Sequence, residues 1–310
     1  PTTQSSSLSY SIAFGGRLME SLENVVTAVR VFVWEWGIPL GDSTIPLVVI
    51  ALIGTGTFLT LLLGFIQLRH FGYGVAVATG RYDDPDSTGD VSHFQALTTA
   101  LSATVGIGNI AGVALAIHWG GPGALVWMWL TAILGMATKY AEVTLSMHYR
   151  SVHQDADKVV GTVSGGPMYY IEHGLGPNWK WMAVFFAAML GFTAFFTGNA
   201  IQANTVADTA QTAFGVAPWI TGAILVVIVS SVILGGITRI GRITSILAPL
   251  MAAVYVLAAL LIVLMHLGDV IPAFVTIFSE AFNPTAGVAG TGVGAILVTM
   301  IWGVNRGLFS

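Results

Sequence analysis

The sequence predicts an all-α polytopic membrane protein. Charged residues make up 8% and hydrophobic residues 55% of its 310 residues, and the mean hydropathy is +0.81. A soluble domain carries roughly 25% charged residues, and apolar runs long enough to cross a bilayer recur along this chain. The 11 basic residues are spread thinly and there is no cysteine. Nothing therefore indicates a nucleic-acid partner, disulfides or thiolate chemistry.

The chain divides into two predicted parts. Residues 1–44 form an extracytoplasmic N-terminal segment, with an amphipathic surface helix over 14–36 whose charged residues share one side. Residues 45–310 form the transmembrane domain. Because the chain starts with Pro1 rather than Met and stops at Ser310 inside an apolar run, we expect it to be a fragment, cut at both ends.

The first predicted span, the lead span, covers residues 45–68 and is followed by a polar loop over 71–93. That loop contains four acidic residues, Asp83, Asp84, Asp86 and Asp90. They lack the spacing, the central glycine and the terminal glutamate of a calcium-binding loop. We therefore interpret this segment as a solvated loop.

The next span, residues 94–118, is interrupted in its middle. The interruption reads Ser102-Ala103-Thr104-Val105-Gly106-Ile107-Gly108-Asn109. Glycine weakens a helix, and freed backbone groups are tolerated at membrane depth only where they line a cavity or are buried in protein. A broken span presents N–H groups at one half-helix end and carbonyls at the other. The pattern predicts a transport site for an anionic or zwitterionic solute, coupled to a cation.

The remaining chain alternates spans and loops. A tight turn at 120–123 precedes spans over 124–150, 179–214, 218–236 and 243–266. The loop 151–177 contains a short helix at 168–173, a basic loop holds Arg239 and Arg242, and the loop 267–289 contains an interfacial helix at 271–282. The loops that hold basic residues are assigned to the cytoplasm by the positive-inside rule, so the broken span runs from inside to outside.

Two spans carry further polar groups. Lys139 and Glu142, three residues apart, can neutralise each other, either as a functional pair or as a structural one near the interface. In the span 179–214, Asn199 and Gln202 share a helix face with Phe192 and its neighbours, which suits a small polar solute. The alternative for these amides is hydrogen bonding between helices. His148, His153, Asp155 and Asp157 lack the spacing of a metal site.

A second interruption is predicted from residue 291 to the end. Glycines, Asn305 and Arg306 occur there inside an apolar run, five spans after the first interruption. Two interrupted spans at this separation indicate an inverted-repeat secondary transporter with its site between the repeats. This sequence would then hold one repeat and the opening half-helix of the second.

Several motifs together resemble one family. In chain order they are Phe94-Gln95-Ala96-Leu97, Ser102 to Asn109, Gly120-Gly121-Pro122-Gly123-Ala124, Lys139-Tyr140-Ala141-Glu142, Gly165-Gly166-Pro167-Met168, Gln202-Ala203-Asn204 and Trp302 to Ser310. They resemble the alanine or glycine:cation symporter family from about residue 45 onward. The resemblance implies a LeuT-like inverted-repeat fold, here with a lead span, five core spans and the start of the sixth. A family member would continue with Asn-Glu-Ala-Gly and about four more spans, so we expect this fragment alone to be unable to transport.

The resemblance also implies an activity. It is Na⁺-driven uptake, H⁺-driven in some members, of alanine, glycine or a similar amino acid through a bacterial or archaeal cytoplasmic membrane. The protein would not be an enzyme and would need no cofactor beyond the coupling ion.

The same resemblance implies site residues. The substrate carboxylate would meet backbone N–H groups around Thr104, Gly106 and Gly108. A wall would come from Phe195, Phe196, Asn199 and Gln202, and the small side chain would be capped by Trp302, Gly307 and Leu308. One Na⁺ would bind carbonyls near Ser102 and Val105, and a second could bind Thr104 and Asn109.

Three other classes of protein fit less well. Gly106-x-Gly108-x-x-x-Gly112 resembles a dinucleotide-binding turn, but it lies inside a membrane-length apolar run. An intramembrane protease would need His-Glu-x-x-His or paired intramembrane aspartates, which the sequence lacks. A channel would more often show rings of like residues or repeated filter loops, so two different broken helices in one chain favour a carrier.

Overall fold

The structure is a computed structural model that describes residues 23–29, 31–32, 36–40, 43–82, 90–153, 162–194, 198–283 and 293–308. Of the predicted amphipathic helix, residues 23–29, 31–32 and 36 are described, and all of them except Trp36 are helical. Phe195, Phe196, three of the four loop aspartates (83, 84 and 86), Asp155 and Asp157 lie outside the described residues.

The described residues form helices with two short antiparallel hairpins. The helices are α1 (Leu47–Leu62), α2 (Ile66–Arg69), α3 (Phe71–Ala78), α4 (His93–Thr104), α5 (Val113–Gly120), α6 (Ala124–His148), α7 (Pro167–Leu175), α8 (Lys180–Thr193), α9 (Asn199–Phe214), α10 (Pro218–Ile233), α11 (Gly236–Met265), α12 (Leu267–Phe282) and α13 (Val293–Leu308). The hairpins pair β1 (Gly37–Leu40) with β2 (Ser43–Pro46) and β3 (Ser151–His153) with β4 (Thr162–Ser164).

The helices confirm an all-α protein of membrane character. Among the described residues, α6 and α11 are each long and apolar enough to cross a membrane. A third such segment consists of α4 and the helix Gly108–Gly120, which are bent by 56° at a short break. Helices α1 and α10 are apolar but shorter. The other predicted spans stay predictions.

Helix α6 lies at the centre of the packing. It contacts α1, α12 and α13, while α13 also packs on α5, and α11 packs on α4. Glycines permit the closest approaches: a Cβ on Gly303 would collide with the Ala124 carbonyl oxygen, and one on Gly307 would lie 2.9 Å from the Thr131 Cβ. Small residues allow membrane helices to approach closely in this way.

The prediction of a second interruption was wrong, as helix α13 shows. It continues without a break through Gly303, Asn305 and Gly307 to Leu308. The glycines do not open the backbone here; they accommodate α6 instead. The composition of a segment cannot separate these two uses of glycine, because both require a missing side chain.

The predicted lead span was wrong at both ends. Residues 45 and 46 belong to β2, and the helix α1 ends at Leu62. Gly64 and Phe65 then adopt left-handed backbone conformations, with φ of 59° and 57°. A left-handed pair ends a helix because its peptide groups turn away from the helix axis, so α2 is a separate turn.

Two predicted loops are partly helical. Residues 71–78 were assigned to a polar loop, but they form α3, which lines a cavity of about 740 Å³ with residues of α4 and α6. This segment carries no charge, so its apolar side chains can pack. Arg239 and Arg242 were assigned to a loop, yet they lie in the first turns of the 30-residue helix α11; arginine is a good helix former.

Other local predictions are confirmed. The turn at 120–123 contains Gly121 at a φ of 78°, a conformation that favours glycine. The short helix in the loop 151–177 is α7, which is tied to α8 by an ion pair of 2.8 Å between Lys180 Nζ and Glu172 Oε1. Lys139 and Glu142 do pair, at 3.0 Å from Nζ to Oε2.

Candidate functional site

The interruption in the first long core segment is a break between two half-helices. Helix α4 begins with a capping box in which Ser92 and Gln95 exchange hydrogen bonds, and it ends at Thr104. Val105 is extended, with φ −80° and ψ 110°. A π-helical turn, Gly108–Gly112, then leads into α5. Such widened turns are frequent at functional sites.

The break exposes backbone groups of both kinds. The last turn of α4 has carbonyls without partners inside the helix, because no helical residue follows to donate to them. Beyond it, the N–H groups of Gly106 and Ile107 precede the π-helical turn. The first end can attract a cation and the second an anion.

Side-chain amides accept the hydrogen bonds from these two N–H groups. Gly106 N–H donates to Asn109 Oδ1 at 3.0 Å, and Ile107 N–H donates to Gln202 Oε1 at 3.2 Å. Asn109 closes its own turn by donating its N–H to the Gly106 carbonyl at 3.1 Å. Two amide oxygens therefore lie where the two oxygens of a carboxylate could accept the same hydrogen bonds.

Helix α9 brings Gln202 to the break from 95 residues away. A Cβ on Gly106 would lie 2.5 Å from the Gln202 Nε2 atom. Glycine at 106 leaves room for the glutamine amide, which would have to shift to accommodate a larger residue there. The structure thus joins two of the predicted substrate residues, Gly106 and Gln202.

Arg306 of α13 contacts the break from another side. Cβ atoms added to Gly108 and Gly112 would both collide with its guanidinium group. These two glycines are four residues apart and so form a surface free of side chains that accommodates the arginine. Arg306 was not among the predicted site residues. The available signal was an arginine in one interrupted span and glycines at i and i+4 in the other.

Among the other predicted substrate residues that the structure describes, Asn199, Trp302 and Gly307 contact other parts of the protein. Asn199 donates its Nδ2–H to the Ala194 carbonyl at 3.3 Å. Trp302 lies one turn before Arg306, and its Cβ is 2.8 Å from the Cβ position of Gly120. Gly307 lies against α6, and α13 ends at Leu308.

Of the predicted ion ligands, Ser102 and Thr104 lie in the last turn of α4, Val105 follows it, and Asn109 lies in the π-helical turn. The Ser102 hydroxyl donates to the Thr99 carbonyl at 2.9 Å and the Thr104 hydroxyl donates to the Ala100 carbonyl at 2.8 Å. Because each hydroxyl hydrogen is used within the helix, the oxygen lone pairs can still face a cation. Oxygen ligands of this kind suit a hard cation.

The sequence matches known transporters. The profile described as "Sodium:alanine symporter family" matches residues 19–310. The sodium/alanine symporter AgcS of Methanococcus maripaludis is 49% identical over 93% of this chain and 60% of its own length. YrbD of Bacillus subtilis, provisionally named a sodium/proton-dependent alanine carrier protein, is 39% identical over 85% of this chain and 51% of its own length.

A third relative has a different named substrate. GlnT of Bacillus subtilis, provisionally named a sodium/glutamine symporter, is 32% identical over 94% of this chain and 56% of its own length. The chain thus spans between half and two thirds of the length of these three relatives. With a family match over more than nine tenths of its residues, the chain belongs to the sodium:alanine symporter family.

Proposed function

We propose that this chain contains the substrate-binding break of a secondary active transporter that carries a small neutral amino acid into the cell together with Na⁺. Alanine is the first candidate substrate and glycine the second. The proposal includes a LeuT-like inverted-repeat architecture and a location as a multi-pass protein in a bacterial or archaeal cytoplasmic membrane.

The proposal rests on one observation. The side-chain oxygens of Asn109 and Gln202 accept hydrogen bonds from the backbone N–H groups of Gly106 and Ile107. In our proposal the substrate carboxylate replaces the Gln202 oxygen on Ile107 N–H. The glutamine amide then turns and donates a hydrogen bond from Nε2 to the carboxylate. This exchange leaves no backbone donor unsatisfied in either state, and each such hydrogen bond contributes about 0.5–1.5 kcal/mol.

The coupling ion would bind at the opposite half-helix end. Carbonyls near Ser102 and Val105 would form the main site, and the side chains of Thr104 and Asn109 a second one. Asn109 then has a double role, since its Oδ1 also accepts from Gly106 N–H. A cation at this point would offset the charge of the carboxylate, which favours joint binding. Proton coupling on the same architecture is the alternative, and the name of YrbD supports it for that relative.

Sodium-dependent binding of alanine tests this proposal. The purified protein, at the length of its relatives, is titrated with L-alanine in NaCl and in KCl at fixed ionic strength and pH, with glycine and glutamine as further ligands. We expect alanine and glycine to bind at least tenfold more tightly in Na⁺ than in K⁺. Equal affinities in the two salts would contradict sodium coupling, and stronger binding of glutamine than of alanine would contradict the substrate assignment.

A further inference from the structure

A cleft at the start of α11 lies outside the break. It has a volume of about 440 Å³ and is lined by Thr238, Arg239, Arg242 and Ile243. The two arginines are exposed, and within the described residues neither has an ion pair. The lining contains two cations and no carboxylate. Charge therefore favours an anionic ligand here.

The arginine at 239 is held toward the beginning of the helix. A Cβ on Gly235 would collide with the Cβ, Cγ and Cδ atoms of Arg239. The aliphatic part of the side chain thus lies over the glycine, and the guanidinium is directed to the N-terminal end of α11. Arginine near the end of a membrane helix places its charge at the lipid headgroups in this way.

The opposite side of α11 packs on the protein. Gly241 is buried near Val91 and Gln95, and the Thr244 hydroxyl lies 2.9 Å from the Thr99 hydroxyl of α4. In a helix with 3.6 residues per turn, Arg239 and Arg242 project away from this contact. The cleft therefore faces outward from the described protein.

An apolar stripe, part of a surface on which every residue from 249 to 265 is exposed, continues from the cleft along the same face of α11. Ile246, Leu250 and Leu257 are 67%, 56% and 65% exposed. They follow Arg239 and Arg242 at helical spacings that keep them on one side. Cations at one end of an exposed apolar stripe match the two parts of a phospholipid, a charged headgroup and an acyl chain.

We propose that this cleft binds the headgroup phosphate of an anionic phospholipid, with an acyl chain along the stripe. Arginine suits the task because its planar guanidinium makes two parallel hydrogen bonds to phosphate oxygens. The Thr238 hydroxyl is a third donor at the cleft. The positive-inside rule assigns this end of α11 to the cytoplasmic leaflet, where anionic lipids attract basic residues.

Native mass spectrometry of the purified protein tests the proposal. The probes are phosphatidylglycerol, phosphatidylcholine of the same chain length, and inorganic phosphate. We expect phosphatidylglycerol to bind at least about tenfold more tightly than phosphatidylcholine. In the double variant Arg239→Gln/Arg242→Gln its affinity falls on the order of thirtyfold, because each basic residue near the surface contributes about fivefold. We expect that excess inorganic phosphate does not displace the bound phosphatidylglycerol.

A matched control removes the same charge elsewhere. Arg69 and Arg81 are exposed and also predicted to be cytoplasmic, and Arg69→Gln/Arg81→Gln should leave the affinity within about threefold. An equal loss in both double variants would overturn the proposal, since it would indicate unspecific surface charge. Unchanged binding in Arg239→Gln/Arg242→Gln would overturn it as well. Displacement by inorganic phosphate would assign the cleft to a free phosphate and reject the lipid.

Discussion

Two side-chain amides determine the chemistry of the break. Asn109 is local to it and Gln202 is distant in sequence, yet each accepts one backbone hydrogen bond at the same opening. An amide is suited to this position because it carries an acceptor and a donor on one neutral group. It can satisfy a backbone N–H when the site is empty and donate to a carboxylate when the site is filled.

A change of charge at Gln202 tests this exchange. Gln202→Glu keeps the shape and the acceptor but places a negative charge where the substrate carboxylate is proposed to bind. Like charges brought together cost several kcal/mol, so we expect alanine affinity to fall about 100-fold or more. Gln202→Ala, which loses only the hydrogen bonds, should cost about tenfold. Equilibrium binding of labelled L-alanine measures both.

The same substitution elsewhere on α9 is the control. Gln211 is exposed near the end of the helix, and Gln211→Glu should leave alanine affinity unchanged. If Gln202→Glu binds alanine as tightly as the unmodified protein, the carboxylate does not occupy the place of the Gln202 amide.

At the scale of elements, α13 connects the break to the centre of the protein. Arg306 lies on Gly108 and Gly112 on one side of α13, while Gly303 and Gly307 lie on α6 on another. The helix therefore contacts both the half-helix that carries the break and the helix that follows it.

Gly112→Ala tests the contact of α13 with the half-helix. The new Cβ would collide with the Arg306 guanidinium, and because this flexible side chain can move aside, we expect a cost at the low end of overpacking, about 1 kcal/mol. We expect a lower midpoint of thermal unfolding, measured by circular dichroism in detergent. Gly222→Ala on α10 is the control, because a Cβ there meets nothing within 4 Å, and alanine favours a helix by about 1 kcal/mol over glycine. Equal midpoints for Gly112→Ala and the unmodified protein would contradict this contact.

Residue patterns located the break but not its partners, and Gln202 was joined to the predicted site at the break only through the family resemblance. The glycines and Asn109 lie within one short motif, so local backbone arguments were sufficient to locate it. The contacts of Gln202 and Arg306 depend on how α9 and α13 pack, and no local pattern specifies that packing. Glycine was also ambiguous: at 106 it permits a close side chain, whereas at 303 it permits a close helix.

The limits of local sequence patterns also explain the two wrongly assigned loops. Arg239 and Arg242 indicated a polar connection, but charged residues near the end of a helix can extend toward the headgroups while their backbone stays helical. Residues 71–78 were placed in a loop together with the charged residues that follow them. The helical part of that segment could be separated only by its lack of charge.

At the scale of the whole molecule, the distribution of basic residues predicts an orientation. The chain has no cysteine, so a single introduced cysteine is the only reactive thiol. In intact cells, a membrane-impermeant maleimide should label Gly268→Cys, at the start of α12, and fail to label Arg81→Cys until the membrane is opened. The reverse pattern would contradict the predicted topology.

A sodium-coupled site at the break is tested by the uptake of labelled L-alanine into proteoliposomes that contain the protein at the length of its relatives. An inward Na⁺ gradient is compared with a K⁺ gradient of equal size at fixed pH. We expect uptake with Na⁺ alone, and its loss in Asn109→Ala, which removes the acceptor for Gly106 N–H. Uptake that is indifferent to Na⁺, or that persists undiminished in Asn109→Ala, would contradict a sodium-coupled site at the break.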